Sequence, residues 1–189
     1  MSLTLPIRTA RLQLRALSMD DLDDHHRMFG NDATVRYVYE DPLDRAAAAE
    51  HLQRRLPAVL PSEGEWLNLA VMADGEFVGE CGVALRSAVH RQCEIGYGLL
   101  PAARGLGYAT EAAAAMVDLA FTALGAHRVC GRVDDRNIDS ARVLERLGMR
   151  FEGTFRENEF VKGEWTDEIV YAITEDEWRA QRQSRNSHG

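Results

Sequence analysis

Between Glu94 and Leu124 the chain reads EIGYGLLPAARGLGYATEAAAAMVDLAFTAL. A short apolar run ends at Leu99-Leu100-Pro101. A glycine-bearing turn follows at Arg104-Gly105-Leu106-Gly107-Tyr108-Ala109, and an alanine-rich helical pattern begins. Strand, turn and helix in that order put unpaired backbone N–H groups and the positive end of a helix dipole at the turn. Such a place suits a phosphate. Gly105 and Gly107 carry no side chain to hold a diphosphate off the backbone. Two nucleotide motifs fail here. A P-loop requires Gly-Lys-Ser/Thr entering the helix. A dinucleotide fingerprint requires a third glycine where Thr110 stands, and an acid roughly 20 residues further on. The plain alternative for these glycines alone is an ordinary strand–helix turn.

The elements that must carry this turn fit one domain. The chain has 189 residues, enough for a sizeable core, and its apolar and charged fractions are ordinary for a globular protein. We expect a single domain over residues 1–183 with a frayed tail at 184–189. No apolar run approaches the roughly 20 residues needed to span a bilayer, and the first residues do not read as a signal peptide. Cys81, Cys93 and Cys130 are scattered, odd in number and set in apolar runs, which reads as buried thiols in a reducing cytoplasm. No metal-ligand spacing is present, so no metal is expected. The net charge of −8 argues against nucleic acid and is compatible with a cationic partner such as an amine.

In chain order, alternation from Arg11 to Leu17 predicts a first strand. Acids at Asp20–Asp24 open a helix whose one face holds Leu22, His25, Met28 and Phe29. His25 and His26 lack partners at metal spacing and read as helix-surface residues. Tyr37 and Tyr39 fall in a loop, and Asp44 caps a second helix from Arg45 to about Leu56. Trp66–Met72 and Phe77–Arg86 form a hairpin across Ala73-Asp74-Gly75-Glu76, with Gly79 and Gly82 at expected bulges. Gln92–Leu100 leads into the phosphate turn, and the helix beyond it stops at Gly125. Arg128–Asp134 is a strand. Asn137 starts a helix that Gly148 ends. Arg150–Arg156 and Trp165–Ile173 are the last strands, around Lys162-Gly163, and Thr174 with Glu177 reads as a capping box for a final helix. The order predicts one mixed α/β (α+β) sheet of about seven strands with helices on both faces.

The sequence resembles the GNAT N-acetyltransferases from its first strand to its last. Arg104, Gly107 and Ala109 satisfy that family's Arg/Gln-x-x-Gly-x-Gly/Ala pyrophosphate motif. Thr9–Arg15 (TARLQLR), Glu94–Tyr97 (EIGY), Arg104–Ala112 (RGLGYATEA) and Asn137–Met149 (NIDSARVLERLGM) resemble the ribosomal-protein N-terminal (Rim-type) branch and its relatives. Each piece is moderately specific; four in the right order are strong.

The resemblance implies transfer of acetyl from acetyl-CoA to a primary amine, in a ternary complex, with no metal. It implies that the diphosphate is held by main-chain N–H groups of Arg104, Gly105, Leu106, Gly107, Tyr108, Ala109 and Thr110. The pantetheine arm would lie between two splayed parallel strands, Gln92–Leu100 and Arg128–Asp134, with backbone groups near Gly98, Leu99 and Leu100 facing the thioester. Donors there stabilise the oxyanion that forms on attack. An amine must be unprotonated to attack, and free amines have a pKa of about 8 (terminal) to about 10.4 (lysine). A base is therefore useful, and Glu94 is the first candidate, with Asp134, Glu80 and Glu159 in reserve. Many GNAT enzymes protonate the leaving thiolate with a tyrosine on the helix after the fifth strand. None lies between Asn137 and Gly148 here, and the Rim-type pattern puts Ser140 in its place. Asn137 would bond the pantetheine arm; helix capping is the plain alternative for both residues. Tyr37, Tyr39 and Trp66 are candidate acceptor-pocket residues.

Three functions compete. The first is an N-acetyltransferase acting on a protein N-terminus or a small amine. The second is a GNAT fold that binds acyl-CoA and catalyses nothing. The third is a homodimeric structural protein with an empty cleft. Turnover with an amine panel separates the first two, and coenzyme A binding excludes the third. Monomer and homodimer both remain open, and Trp165–Ile173 is a candidate edge strand for pairing across a dimer.

Overall fold

The structure is a computed structural model and describes residues 3–186. Eight strands form one sheet in the order β1-β2-β3-β4-β5-β6-β8-β7: β1 (Ile7–Arg8), β2 (Leu12–Ala16), β3 (Trp66–Ala73), β4 (Glu76–Ser87), β5 (Gln92–Leu99), β6 (Arg128–Asp134), β7 (Arg150–Val161) and β8 (Glu164–Thr174). Every neighbouring pair is antiparallel except β5 and β6. The helices are α1 (Leu22–Phe29), α2 (Asp32–Val35), α3 (Arg45–Arg55), α4 (Tyr108–Thr122), α5 (Ile138–Arg146) and α6 (Glu175–Asn186).

Strand alternation divides the core in two. Leu67, Leu69 and Val71 of β3 join Ile95, Met116, Val129 and Leu144 on the face covered by α4 and α5. Ala70 joins Met28, Phe29, Val35 and Leu52 on the face covered by α1 to α3. Helix α4 buries Ala112, Ala113, Met116, Val117 and Ala120, one stripe at helical spacing, and its small residues let it lie close on the sheet.

The hairpin turns read in the sequence hold. Asp74 and Gly75 have φ of 50° and 85°, and Lys162 and Gly163 have 51° and 86°, the left-handed pairs that a two-residue hairpin needs. Thr174 and Glu177 form the capping contacts expected of them. Five details differ. The two-residue β1 raises the strand count to eight. The short helix α2 occupies a segment read as loop, capped by Asn31, whose side chain accepts from Ala33 N–H at 2.9 Å. Gly79 sits at a bulge, but Gly82 pairs in register with Asn68. The strand from Trp165 is not an edge: β8 runs between β6 and β7, which leaves β7 outermost. Helix α6 continues through Ser184 to Asn186, past the expected start of the tail; residues 187–189 of that tail lie outside the described residues.

The feature that positions the site is the parting of β5 from β6. They pair only at Gln92–Arg128, Cys93–Val129 and Glu94–Cys130. Beyond Glu94 the two strands separate, while β6 stays paired with β8 as far as Asp134. The edge of β5 from Ile95 to Leu99 therefore opens onto a gap.

Candidate active site

A cleft of about 1060 Å³ passes this gap and reaches both faces of the sheet. At one end lies the turn before α4. Gly105 and Gly107 have φ of 79° and 81°, and space is open for at least 4 Å around the position a Gly105 side chain would take. Glu111 N–H makes the first helical bond, to Gly107 C=O, so the N–H groups of the preceding turn face outward. Thr110 Oγ1 is buried and has no hydrogen-bond partner, although a buried hydroxyl normally finds one. A bare backbone, outward N–H groups and an unsatisfied hydroxyl would suit the diphosphate that the family resemblance implies here.

The turn is fixed from outside. Glu111, in the first turn of α4, accepts from Thr9 Oγ1 at 2.6 Å, Arg11 N–H at 2.7 Å and Arg11 Nε at 2.8 Å. Arg11 also donates to Leu106 C=O at 2.9 Å and lies over the Tyr108 ring at 5.0 Å. Burial would raise the Glu111 pKa, but the bonds from Thr9 and Arg11 outweigh it and hold the carboxyl below its ordinary range. Arg104 is not free in solvent: it donates to Leu99 C=O at 3.3 Å and Ala33 C=O at 3.2 Å, bracing the turn against α2.

In the middle of the cleft, Leu100 N–H donates to Val78 C=O at 2.9 Å. Strand alternation then turns Leu99 N–H toward the gap. Gly98 lies under α1, where a Cβ would come within 2.7 Å of Met28 Cε. Across the gap, Tyr97 O–H donates to Ser140 C=O at 2.8 Å, and Ser140 Oγ lies 3.2 Å from the same hydroxyl. Burial pushes the Tyr97 pKa up, so it remains a neutral phenol. A tyrosine of β5 thus meets α5, which has none of its own. Asn137 caps α5, accepting from Ser140 N–H at 3.2 Å, and also faces the cleft.

At the other end, α1, α3 and β4 enclose Glu80, which is 2% exposed. Its carboxylate takes His25 Nδ1 at 2.5 Å, Arg55 Nε at 3.1 Å and Arg55 Nη2 at 3.0 Å. Burial would raise its pKa; the His25 bond and the Arg55 charge lower it below the usual carboxylate value. His25 Nε2 faces His51 Nδ1 at 2.9 Å. His25 is fully buried, which corrects its reading as a helix-surface residue: the apolar face it shares with Met28 and Phe29 turns inward, and Glu80, 55 residues away, satisfies it.

Of the sequence candidates, Gly98, Leu99, Arg104, Gly105, Gly107, Ala109, Thr110, Asn137 and Ser140 line the cleft, as do Glu80, Tyr37 and Trp66. Leu100, Leu106 and Tyr108 do not line it. Glu94 also lies outside it, with its carboxylate 2.9 Å from Arg86 Nε, at the last pair before the strands part. Asp134 is held by Arg136, and Glu159 and Tyr39 do not line the cleft. Tyr97, His51 and Arg55 line it without having been assigned a role from the sequence. Tyr97 sits in the quoted EIGY run; the other two carried no local signal. Among the described residues no three His, Cys, Asp or Glu side chains converge as metal ligands.

Residues 11–150 match the family described as the acetyltransferase (GNAT) domain. The chain belongs to the GNAT acetyltransferase family. It is 41% identical over 179 residues to YnaD, an uncharacterised N-acetyltransferase of Bacillus subtilis (strain 168), covering 91% of this chain and 98% of that one. It is 26% identical over 173 residues to the spermidine N(1)-acetyltransferase of Escherichia coli (strain K12), covering 92% and 91%. The crystal structure of a GNAT-family acetyltransferase from Bacillus anthracis superposes with a TM-score of 0.81 at 28% identity, covering 94% of this GNAT chain and all of that one.

Proposed function

We propose that the protein is an acetyl-CoA-dependent N-acetyltransferase that acts on a primary amine. The observation that carries this reading is the continuity of one cleft from the bare glycine turn, past the unpaired edge of β5, to the pocket under α1 and α3. Bound acetyl-CoA would supply the acetyl group as a thioester. The turn at Arg104–Thr110 binds its diphosphate through backbone N–H groups and the free Thr110 hydroxyl. Leu99 N–H points where a thioester oxygen would lie, and a donor there is worth most as negative charge grows on that oxygen. Ser140, backed by the Tyr97 phenol, is the proton donor to the leaving sulfur. Glu94 is tied to Arg86 outside the cleft, which makes direct contact with an amine the weaker role for it.

The acceptor is a protein N-terminal α-amine or a small amine. Spermidine, the substrate in the name of one relative, heads the panel to try. Calorimetric titration with acetyl-CoA, coenzyme A and adenosine diphosphate tests the reading. One-site binding of acetyl-CoA that is lost in Gly107→Glu, followed by acetylation of a panel amine, is expected. Folded protein that binds none of the three overturns the reading. Binding without turnover leaves the non-catalytic acyl-CoA module.

A further inference from the structure

The cluster of two histidines and a carboxylate under α1 and α3 exceeds what packing requires. Glu80, His25 and His51 are 2%, 0% and 7% exposed, and they are joined in a line rather than around a point. Glu80 already has the Arg55 guanidinium as counter-ion. With both rings neutral, His25 donates to Glu80 from Nδ1. That leaves His25 Nε2 as an acceptor, so His51 must donate from Nδ1. The chain of bonds fixes the last ring: His51 Nε2 carries a lone pair, and His51 lines the cleft. Glu80 pairs across the strands with Gly98 at the parted edge of β5, and the line runs from there through His25 to His51, which lines the cleft.

We propose that His51 is the base that takes the proton from the acceptor amine, and that His25 and Glu80 are positioning residues that set its tautomer. This rests on the acetyltransferase reading above. In the step, an acceptor that enters as the ammonium first gives one proton to water, and its neutral nitrogen then forms its bond to the thioester carbonyl carbon. The C–S bond breaks with its electron pair on sulfur, which leaves as the thiol with a proton from Ser140, itself reprotonated from water. The extra proton on nitrogen passes to His51 Nε2. The imidazolium still donates from Nδ1 to His25, in line with the Glu80 carboxylate, and then returns its proton to water.

Charges of both signs face His51. His25 and Phe29 face it from α1, Glu80 from β4, Arg54 and Arg55 from its own helix, and Glu40 from the segment before α3, 3.9 Å from Nε2. Burial first, then the Arg55 charge, lowers its pKa to about 4. Glu40 gives an incoming ammonium a counter-charge beside the lone pair.

The test begins with nitrogen-15 spectra of histidine-labelled full-length protein at pH 7.5. His51 Nε2 is expected unprotonated and Nδ1 protonated, with that pattern lost in His25→Ala; a protonated Nε2 overturns the proposal. His51→Asn keeps a side-chain donor for His25 but has no base. With spermidine and a hexapeptide bearing a free N-terminus as acceptors, it is expected to lose at least ~100-fold in kcat while binding acetyl-CoA as the wild type does. Imidazole added to His51→Ala is expected to restore rate. Wild-type kcat in His51→Asn overturns this inference and leaves the acetyltransferase reading intact. Wild-type protein that fails to bind acetyl-CoA overturns both, and the titration detects that before any variant is made.

Discussion

The two ends of the cleft are built in opposite ways. The phosphate end is backbone: a few consecutive residues, two of them glycine, whose N–H groups point outward because a helix begins there. The acceptor end is side chains: His25, His51 and Glu80 come from α1, α3 and β4 and meet only when both helices lie on the sheet. A site made of backbone tolerates exchange of many side chains but not a change of local conformation. A site made of buried polar side chains fails as a unit when any member is lost.

The largest expected effect tests that unity. Glu80→Ala leaves His25 buried without its acceptor and Arg55 without its counter-ion, and should cost about 3 kcal/mol of stability. Urea denaturation measures it; a loss no larger than that of an exposed ion pair would break the contrast between the ends.

Slightly smaller is a pH effect confined to the acceptor end. His51 has a folded pKa of about 4 against an ordinary 6.5. The unfolded chain therefore binds this proton first, so stability falls as pH drops from 6.5 to about 4 and this group adds nothing further below that. Discounted for solvent at a partly buried ring, the loss is roughly 2 kcal/mol across the window. His51→Asn should flatten the pH dependence of the urea midpoint in that window and leave it unchanged above.

At the phosphate end, Gly107→Glu places a carboxylate at a φ of 81° where the diphosphate would sit. It should weaken acetyl-CoA by at least ~100-fold, with a smaller penalty in stability. A loss of fold comparable to that of Glu80→Ala would remove the distinction drawn here. The smallest effect sharpens it: Glu111→Gln loosens the tie from Thr9 and Arg11 to α4, costing about 1.5 kcal/mol. Because that tie holds the turn in place, acetyl-CoA affinity should fall several-fold as well, whereas the His51 tautomer should not change.

Glu111 also explains why two distant pieces of sequence are both informative. Thr9-Ala10-Arg11 and Arg104–Ala112 are 102 residues apart at Thr9 and Glu111, yet one carboxylate joins them. Their local patterns could be read separately; their contact could not. The same limit applies to the base. Glu94 was singled out by its place on the strand that enters the site, a local property. Its pairing with Arg86 depends on the register of β4 and β5.

The sequence by itself determined the order of elements, both hairpin turns, the caps of α3 and α5, the glycine turn before α4 and the family. Each of these depends on neighbours within a few residues, where backbone preference and apolar period act directly. Only the tertiary structure decided where β5 and β6 part, which face of α1 is buried, that β8 is interior, and that Tyr97 meets Ser140. Those outcomes follow from register and packing between segments far apart in the chain. A histidine on a short helix reads the same whether solvent or Glu80 lies opposite it, and here the sheet beneath α1 settles which.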